Sequence, residues 1–282
     1  METTPKIAFL GPTGTYSDEA THQFMEKLGL EDAELVECVS FTEIFDTVER
    51  GRCDYGVVAT ENSLEGPVTA CLDNFATHTN VDILAEHVLD IHHSLVMHPD
   101  AEVADITTIV SHPQGLGQCR RYITEHFPGR TTKTASSTAD GVRKIMEDKT
   151  CAAIANEFAA KLYGARVYER SIEDHFGNQT SFALIARPGM PEVFPELPKR
   201  TSVILSLQQD RSGSLLMILS EFAYAGVNLT KIQSRPTKQA LGDYMFFIDF
   251  EGSTSDVDVQ TALNCLRLKL RDVRVLGSYP TI

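Results

Sequence analysis

A proline-rich segment divides the chain into two parts that differ in pattern. It spans residues 187–199, has no amphipathic period, and contains Pro188, Pro191, Pro195 and Pro198. Segments of this kind are typical of linkers between domains, because proline lacks a backbone N–H and has a fixed φ. The 282 residues are also long for one domain and comfortable for two. We therefore predict folded parts at residues 1–187 and 200–282, joined by a linker at 188–199.

Before the linker, short apolar runs alternate with stretches that have the period of a helix. The apolar runs predict strands at residues 6–10, 35–39, 55–60, 108–110, near 132, 151–155 and 180–186. The helical stretches lie at residues 17–28 with Ser17 as the cap, at 41–50, after Pro67, after Pro113, and at 139–147. This alternation predicts mostly parallel sheets in two α/β lobes, the second starting near residue 81. The pattern alone does not assign the strand at 180–186 to either lobe.

After the linker, the order of elements changes. Strands are predicted at residues 201–207, 229–235, 244–250 and 273–278, and helices at 213–225 and 257–270. The order βαββαβ is that of the ferredoxin-like unit. The second part is therefore predicted to be a small α/β domain of that type.

Composition excludes several classes of protein. A formal net charge of −14 argues against sequence-independent nucleic-acid binding, which needs a basic surface. The sequence shows neither a signal-peptide pattern nor a long apolar segment, so we expect a cytoplasmic protein without membrane contact. The six cysteines are scattered without metal-ligand spacing and are expected to be reduced thiols, with no metal site. An anionic ligand would have to be held by local donors and helix N-termini.

Four polar segments follow predicted strands, where α/β folds place ligands. They are residues 11–17 (GPTGTYS), 61–66 (ENSLEG), 111–118 (SHPQGLGQ) and 178–182 (NQTSF). The first joins a strand to a helix start, where free N–H groups favour an anion. In the third, Gln114 and Gln118 project from one helix face, and His112 is interpreted as structural. Each segment alone is equally well explained as a turn, a cap or a solvated loop.

Together, the four segments resemble the prephenate dehydratase family across essentially the whole chain. The family patterns G-P-x-G-[TS]-[YF]-[ST], E-N-S-x-x-G and S-H-P-Q-x-x-x-Q match residues 11–17, 61–66 and 111–118. A following S-S-T matches residues 136–138, and residues 152–164 resemble the next family block. The second part resembles an ACT domain, a module that binds amino-acid effectors, through N-L-T-K-I at residues 228–232 and Q-S-R-P at 233–236.

One departure from the family pattern affects the expected site. The family signature T-R-F reads Thr180-Ser181-Phe182 here, and serine cannot make the bidentate contact that arginine makes with a carboxylate. Arg120 and Arg121 are candidates to replace the missing guanidinium. In the ACT part, Gln233 stands where the family has glutamate, and residues 213–216 read G-S-L-L in place of G-A-L and an aliphatic or aromatic residue.

The resemblance implies a two-lobed fold like that of periplasmic binding proteins, with lobes at about residues 1–79 plus the end of the domain, and 80–177. The ligand would lie in the cleft between the lobes. Thr180 would donate a hydrogen bond to the departing oxygen, and the other implied catalytic residues are Glu61, Asn62, Ser111 and Gln118. The implied substrate contacts are Thr13, Gly14, Thr15, Ser63, Ser137, Thr138, Asn178 and Ser181. The implied effector contacts are Gly213, Ser214, Leu215, Asn228, Leu229, Gln233, Ser234 and Arg235.

The resemblance also implies the reaction and its regulation. Prephenate would be converted to phenylpyruvate by a carbon–oxygen lyase that needs no cofactor, and phenylalanine would bind between two ACT domains of a homodimer or homotetramer. With Ser181 in place of arginine, an arogenate-preferring dehydratase or a prephenate-using relative that does not aromatise stays open. So does an amino-acid sensor that has lost catalysis, although it would not need Thr180, Asn62, Ser111 and Gln118. A solute-binding protein is disfavoured because no signal peptide is present.

Overall fold

The computed structural model describes residues 4–209, 211–238 and 243–282. Its strands, numbered in chain order, are β1 (Lys6–Leu10), β2 (Glu34–Cys38), β3 (Tyr55–Asn62), β4 (Gly66–Pro67), β5 (Asp82–Asp90), β6 (Ser94–Met97), β7 (Thr108–Ser111), β8 (Thr131–Thr134), β9 (Cys151–Ala155), β10 (Arg166–Glu169), β11 (Gln179–Ala186), β12 (Lys199–Ser206), β13 (Leu229–Pro236), β14 (Tyr244–Glu251) and β15 (Asp272–Pro280). Its α-helices are α1 (Tyr16–Leu28), α2 (Phe41–Glu49), α3 (Thr69–Thr77), α4 (Pro113–Gln118), α5 (Arg120–His126), α6 (Thr138–Glu147), α7 (Glu157–Tyr163), α8 (Ser214–Tyr224) and α9 (Val257–Lys269), with a 3-10 turn at Val103–Asp105. None of these helices has the length and apolarity needed to cross a membrane.

The first sheet combines parallel strands with one antiparallel insertion. Its order is β2-β1-β3-β11-β5, with β4 attached to β3. Strands β1, β2 and β3 are parallel, as the alternation predicts, whereas β11 is antiparallel to both β3 and β5. Strand β5 therefore runs in the same direction as β1, β2 and β3, and the sheet is mostly parallel, as predicted. Strand β11 is the main exception, because it returns from the second lobe and enters the sheet from the opposite end.

The second sheet has the order β10-β6-β9-β7-β8. Strands β7, β8 and β9 are parallel, β6 is antiparallel to β9, and β10 at the edge is antiparallel to β6. The chain passes from the first sheet to the second between β5 and β6 and returns just before β11. Strand β5 lies in the first sheet, whereas the expected lobe boundary at residue 80 would place it in the second. The sequence analysis predicts no strand at these residues, so the pattern did not indicate which sheet they join.

The start of α1 differs from the prediction in one detail. The N-cap is Thr15, not Ser17, because the Thr15 side chain accepts a hydrogen bond from the backbone N–H of Asp18 at 3.4 Å. Ser17 lies one residue inside the helix. The loop after β1 is therefore shorter than predicted, and the helix N-terminus lies closer to the end of the strand.

The third sheet has the order β13-β14-β12-β15 and carries α8 and α9 on one face, which confirms the predicted βαββαβ unit. Its other face packs against the first lobe through Ile204, Phe247, Leu276 and Tyr279, which share a core with Phe75. Residues 187–198 between the two parts contain no helix or strand. The two domains thus share a buried apolar interface beyond their covalent connection.

Gly277 marks the closest approach between the two domains. Its φ is +150°, and a Cβ at this position would lie 2.3 Å from the carbonyl oxygen of Ile83 on β5. We expect Gly277→Ala to lower the free energy of unfolding by about 1–3 kcal/mol more than Gly129→Ala. Gly129 is a matched control because its φ is +76° and nothing lies within 4 Å of its position. Urea unfolding of both variants checks this, and equal losses would show that the contact with Ile83 is not tight.

Most of the cysteines are buried as free thiols. All six cysteines are free, and those other than Cys265 are buried. Burial raises the pKa of the Cys38 thiol to about 11. The five buried cysteines therefore act as small apolar residues of the core.

Candidate active site

A cavity of about 610 Å³ lies between the two lobes. This volume is in the range typical of sites for small ligands. The predicted catalytic residues in its wall are Asn62, Gln118 and Thr180, and the predicted substrate contacts in its wall are Thr15, Ser137, Thr138 and Asn178. The structure thus brings together residues from all parts of the first domain, as a cleft between two lobes requires.

Thr180 and Asn62 form a hydrogen-bonded pair at the centre of this wall. They are direct partners in the antiparallel ladder between β11 and β3, and each is 9% exposed. The Asn62 Nδ2 atom donates to Thr180 Oγ1 at 2.9 Å. Strand β3 runs two residues beyond its predicted end, so Asn62 is held by the sheet and not by a loop.

The direction of this hydrogen bond follows from the turn after β3. Asn62 Oδ1 accepts from the backbone N–H groups of Leu64 and Glu65, each at 3.0 Å. Backbone N–H groups can only donate, so the oxygen of the amide must face the turn and its nitrogen must face Thr180. Thr180 Oγ1 is therefore an acceptor in this pair, and its own proton is available to an acceptor in the cavity.

Helix N-termini contribute further donors to the cavity. Ser137 caps α6 by accepting from Asp140 N at 3.0 Å. Helix α3, whose first residues Thr69 and Ala70 line the cavity, has no side-chain hydrogen bond at its cap residue Val68. Unpaired N–H groups at a helix start, together with the helix dipole, favour a negative charge. The α3 start is therefore suited to a carboxylate.

The charges of the cavity wall are unusual for a site that is expected to take an anion. The wall residues in the described part of the chain include neither lysine nor arginine, and Glu65 is the acidic residue among them. Attraction for a carboxylate must then come from neutral donors and helix starts, as the net charge of −14 already implied. Arg120 and Arg121 lie on α5, are exposed, and are not part of the wall.

Three predicted site residues point away from the cavity. Ser111 is fully buried and donates from Oγ to the carbonyl oxygen of Ile154 at 2.6 Å. Glu61 forms an ion pair of 2.7 Å with Lys231 on β13 of the second domain. Ser181 donates to Glu86 Oε1 at 2.5 Å, on the face of β11 that packs against the second domain. None of the three lines the cavity, and for Glu61 and Ser181 the reason is that adjacent strand residues face opposite sides of a sheet. Their contact with substrate stays a prediction.

The remaining predicted substrate contacts, Thr13, Gly14 and Ser63, form hydrogen bonds outside the cavity wall. Both the backbone N–H and the hydroxyl of Thr13 donate to Glu37 Oε2, at 2.9 and 3.0 Å. The Gly14 N–H donates to Asp18 Oδ2 at 2.7 Å. Ser63 Oγ accepts from the backbone N–H of Gln179 at 2.9 Å. These residues hold the loops after β1 and β3 in place, and none of the three lines the cavity.

Sequence reasoning assigned no site role to several residues of the cavity wall, among them Tyr16 and His93. Tyr16 is part of the segment 11–17, but its role is decided by the fold, since its hydroxyl lies 2.9 Å from His93 Nδ1. His93 follows β5, a strand that the sequence pattern did not predict. Burial lowers the pKa of the His93 imidazole and raises that of the Tyr16 hydroxyl well above its usual range.

His112 behaves as predicted for a structural residue. Its Nδ1 accepts from the backbone N–H of Gln114 at 3.3 Å and thereby caps α4. Both His112 and Gln114 also line the cavity. The S-H-P-Q segment therefore supplies wall residues through its helix, while its serine is used for packing.

The predicted effector residues lie on two elements of the second domain. Gly213, Ser214 and Leu215 form the start of α8, and the others, from Asn228 to Arg235, lie on or beside β13. Strand β13 is at one edge of its sheet. Arg235 is bound to Asp73 on α3, with N–O distances of 2.7 and 3.1 Å. Their contact with an effector stays a prediction.

Comparison with known proteins agrees with this geometry. The family model for prephenate dehydratase matches residues 7–190, and that for the ACT domain matches residues 201–265. A prephenate dehydratase of Methanocaldococcus jannaschii is 37% identical over 276 residues, which cover 97% of each chain. The crystal structure of a prephenate dehydratase from Arthrobacter aurescens, in complex with L-Phe, matches with a TM-score of 0.88 at 36% identity, covering 98% of this chain and 89% of that one.

A further solved structure is similar to this chain but carries a different description. It is described as a novel type of quorum-quenching acylase and matches with a TM-score of 0.85 at 28% identity, covering 98% of both chains. The two-lobed fold followed by an ACT domain is shared by these structures. On the family match over most of the chain and the identity to curated relatives, this protein belongs to the prephenate dehydratase family.

Proposed function

We propose that this protein converts prephenate to phenylpyruvate, carbon dioxide and water. The observation that carries the proposal is the Asn62–Thr180 pair, which presents a hydroxyl proton to the cavity between the lobes. In the reaction, the bond between the ring and its carboxylate breaks, and the electron pair moves into the ring. The C4 hydroxyl leaves with its bonding electrons and takes up a proton to become water. The ring becomes aromatic, and no electrons are gained or lost overall.

Thr180 has the role of a hydrogen-bond donor to the departing hydroxyl. Its hydroxyl is too weak an acid to release a free proton at neutral pH, so it stabilises negative charge on the leaving oxygen by a preorganised hydrogen bond. Asn62 fixes the direction of that bond, because its Nδ2 occupies the acceptor side of Thr180 Oγ1 at 2.9 Å. Such a donor stabilises the transition state more than the substrate, since the charge on oxygen develops during the reaction.

Neutral donors bind the two carboxylates of the substrate. The start of α3 and the amide of Gln118 are the groups available for this in the cavity wall. An arginine would stabilise the ring carboxylate as an anion and would lose that contact when carbon dioxide forms. A wall of neutral donors stabilises the anion less, which favours its decarboxylation.

The second domain is proposed to regulate this activity. We assign residues 1–187 to catalysis, 188–199 to the linker and 200–282 to an ACT domain that binds phenylalanine. The relative from Arthrobacter aurescens, solved with L-Phe, supports this ligand. Edge strand β13 and the exposed apolar residues of α8, Leu216 (68%) and Tyr224 (86%), are suited to contact with a second copy. A homodimer or homotetramer, with phenylalanine bound between ACT domains, is the arrangement we propose.

The test is to incubate the purified protein with prephenate and to follow the absorbance of phenylpyruvate in alkali. We expect formation of phenylpyruvate that is proportional to protein concentration and is reduced by millimolar phenylalanine. Arogenate and an N-acyl homoserine lactone are tested in parallel as alternative substrates. Turnover of either of these without turnover of prephenate would contradict the proposal, and so would the absence of all turnover. Calorimetric titration with phenylalanine tests the regulatory part separately, and no heat at millimolar ligand would contradict it.

A further inference from the structure

A chain of hydrogen bonds between side chains runs along the cavity wall from Thr180 to Tyr16. Asn62 Nδ2 lies 2.8 Å from Asn178 Oδ1, and Asn178 Nδ2 lies 3.4 Å from Gln118 Oε1. Gln118 Oε1 lies 2.7 Å from His93 Nε2, and His93 Nδ1 lies 2.9 Å from the Tyr16 hydroxyl. These residues belong to the first lobe, the second lobe and both crossings between them. The chain therefore connects the lobes through the site itself.

The backbone N–H groups that bind Asn62 set the direction of the hydrogen bonds from Asn62 to His93 Nε2. Since the Asn62 oxygen is bound to two backbone N–H groups, its nitrogen donates to Asn178 Oδ1. The Asn178 nitrogen is then the donor to Gln118 Oε1. Gln118 Oε1 is thus an acceptor, and an acceptor at 2.7 Å from His93 Nε2 requires a proton on that nitrogen. The turn after β3 therefore determines that His93 Nε2 carries a proton, through Asn62, Asn178 and Gln118.

The position of His93 is fixed on all sides. Its side chain lies at the crossing from β5 to β6, and the residue is 3% exposed. Its backbone N–H donates to Glu173 Oε2 at 3.0 Å, and its carbonyl oxygen accepts from Ile172 N at 2.9 Å. The Tyr16 hydroxyl donates its one proton to the His92 carbonyl at 2.6 Å, and its oxygen lies 2.9 Å from His93 Nδ1. Burial lowers the pKa of the His93 imidazole.

Gln118 is left with one free end. Its Oε1 has two donors, whereas its Nε2 is buried and has no hydrogen-bond partner among the described residues. A buried amide nitrogen without an acceptor is costly, and native proteins rarely leave one without a reason. Gln118 lines the cavity, so an oxygen atom of a bound ligand can supply the missing acceptor.

We propose that His93 is a positioning residue: the Nε2–H group of its ring, which is braced by Tyr16, holds Gln118 so that the Gln118 amide N–H groups bind an oxygen of the substrate. The inference rests on the proposed function, and it assigns to the His93–Tyr16 pair a role that acts through Gln118. His93 itself need not touch the substrate. Removing its donor frees the Gln118 amide to rotate and lose that contact.

Kinetics of matched variants test the proposal. His93→Met keeps a similar volume without a donor, and we expect it to lower kcat/KM for prephenate by about 10- to 100-fold, the scale of one hydrogen bond to a charged group. His93→Gln places an amide nitrogen near the position of Nε2, and we expect it to recover kcat/KM to within about threefold of the original protein, the spread allowed by imperfect geometry. In a Gln118→Leu background, His93→Met is expected to have no further effect, because coupled residues are not additive.

The opposite outcomes would overturn the proposal. A loss caused by His93→Met that is equally large with and without Gln118→Leu would show that His93 acts by another route, or only on stability. Failure of His93→Gln to recover more than His93→Met would show that the donor is not what matters. Tyr16→Phe, which removes one hydroxyl, repeats the test where His93→Met does not fold, and its smaller loss is also expected to vanish in the Gln118→Leu background.

A measurement that needs no turnover separates this inference from the proposed function. In protein labelled with ¹⁵N-histidine, the His93 signals are assigned by their loss in His93→Gln. We expect a proton on Nε2 at neutral pH. An unprotonated Nε2 would contradict the inference. Absence of prephenate turnover together with a protonated Nε2 would instead contradict the proposed function.

Discussion

Replacing Thr180 with valine is expected to lower kcat for prephenate by about a hundredfold or more, the scale of losing one preorganised donor to a developing charge. Thr180 lies on β11 with its Oγ1 bound to Asn62 Nδ2 and its proton free for the cavity. Valine has the same branched shape and favours strands, so the change removes the hydroxyl and little else. Steady-state kinetics of the purified variant measure the effect.

Thr180→Ser is the matched control, because it keeps the hydroxyl and loses a methyl group. We expect serine to retain most of kcat, with a modest loss from the freedom of its side chain. Circular dichroism and thermal unfolding of both variants establish that the sheet is intact. Unchanged kcat in folded Thr180→Val would show that the hydroxyl has no part in the reaction.

Asn62→Asp is the second change expected to have a large effect, again about a hundredfold or more in kcat. One carboxylate oxygen can still accept from Leu64 N and Glu65 N, so the turn is preserved. The other oxygen would face Thr180 Oγ1, and the threonine proton would then be donated to the carboxylate and not to the substrate. Asn178 Oδ1, at 2.8 Å from the present nitrogen, would face an oxygen as well.

The pH dependence of kcat in Asn62→Asp tests the role assigned to the Asn62 nitrogen. Burial and the neighbouring oxygens raise the pKa of the introduced carboxyl group, because both disfavour its charged form. Its protonated form has an O–H donor again, so kcat of the variant is expected to rise relative to that of the original protein as pH falls. A constant ratio across pH would contradict the role assigned to the Asn62 nitrogen.

Asn74→Asp is a control for the chemical change alone. Asn74 is 8% exposed and is not part of the cavity wall, although its Nδ2 donates to the carbonyl of Ala70, a wall residue one turn earlier in α3. Placing an acceptor against that carbonyl is expected to reduce stability. We expect kcat to fall far less than in Asn62→Asp, since Asn74 itself does not meet the substrate. A hundredfold loss here would mean that any buried charge suppresses the activity.

The local elements of the fold were predictable because their signals are local. Apolar runs and helical periods identify β1, β3, β9 and the βαββαβ unit of the second domain. The sheet to which a strand belongs is a tertiary property. The apolar sequence of β11 would fit either sheet of the first domain. Its position between β3 and β5 depends on the path of the chain through the second lobe.

The site was predictable to a similar degree and for similar reasons. Resemblance to family motifs identifies the segments that reach the cavity, and Thr180, Asn62 and Gln118 do line it. It does not say which residue of a motif faces which side. Ser111 is conspicuous in its motif, yet its hydroxyl is used to bind the Ile154 carbonyl. His93 lies outside the family motifs, and its place in the cavity wall depends on β5 joining the first sheet.

Alternation along β11 and β3 has a consequence for how the family signature is understood. Thr180 faces the cavity, while its neighbour Ser181 binds Glu86, which also accepts from Arg200 of the ACT domain at 2.8 Å. Asn62 faces the cavity, while its neighbour Glu61 is paired with Lys231 of the same domain. In this chain the tripeptide Thr180-Ser181-Phe182 therefore has one polar side chain at the cavity and the next at the contact with the second domain. Serine at position 181 leaves the cavity wall unaltered. A shift of the ACT sheet relative to β11 would act on Ser181, one residue away from Thr180.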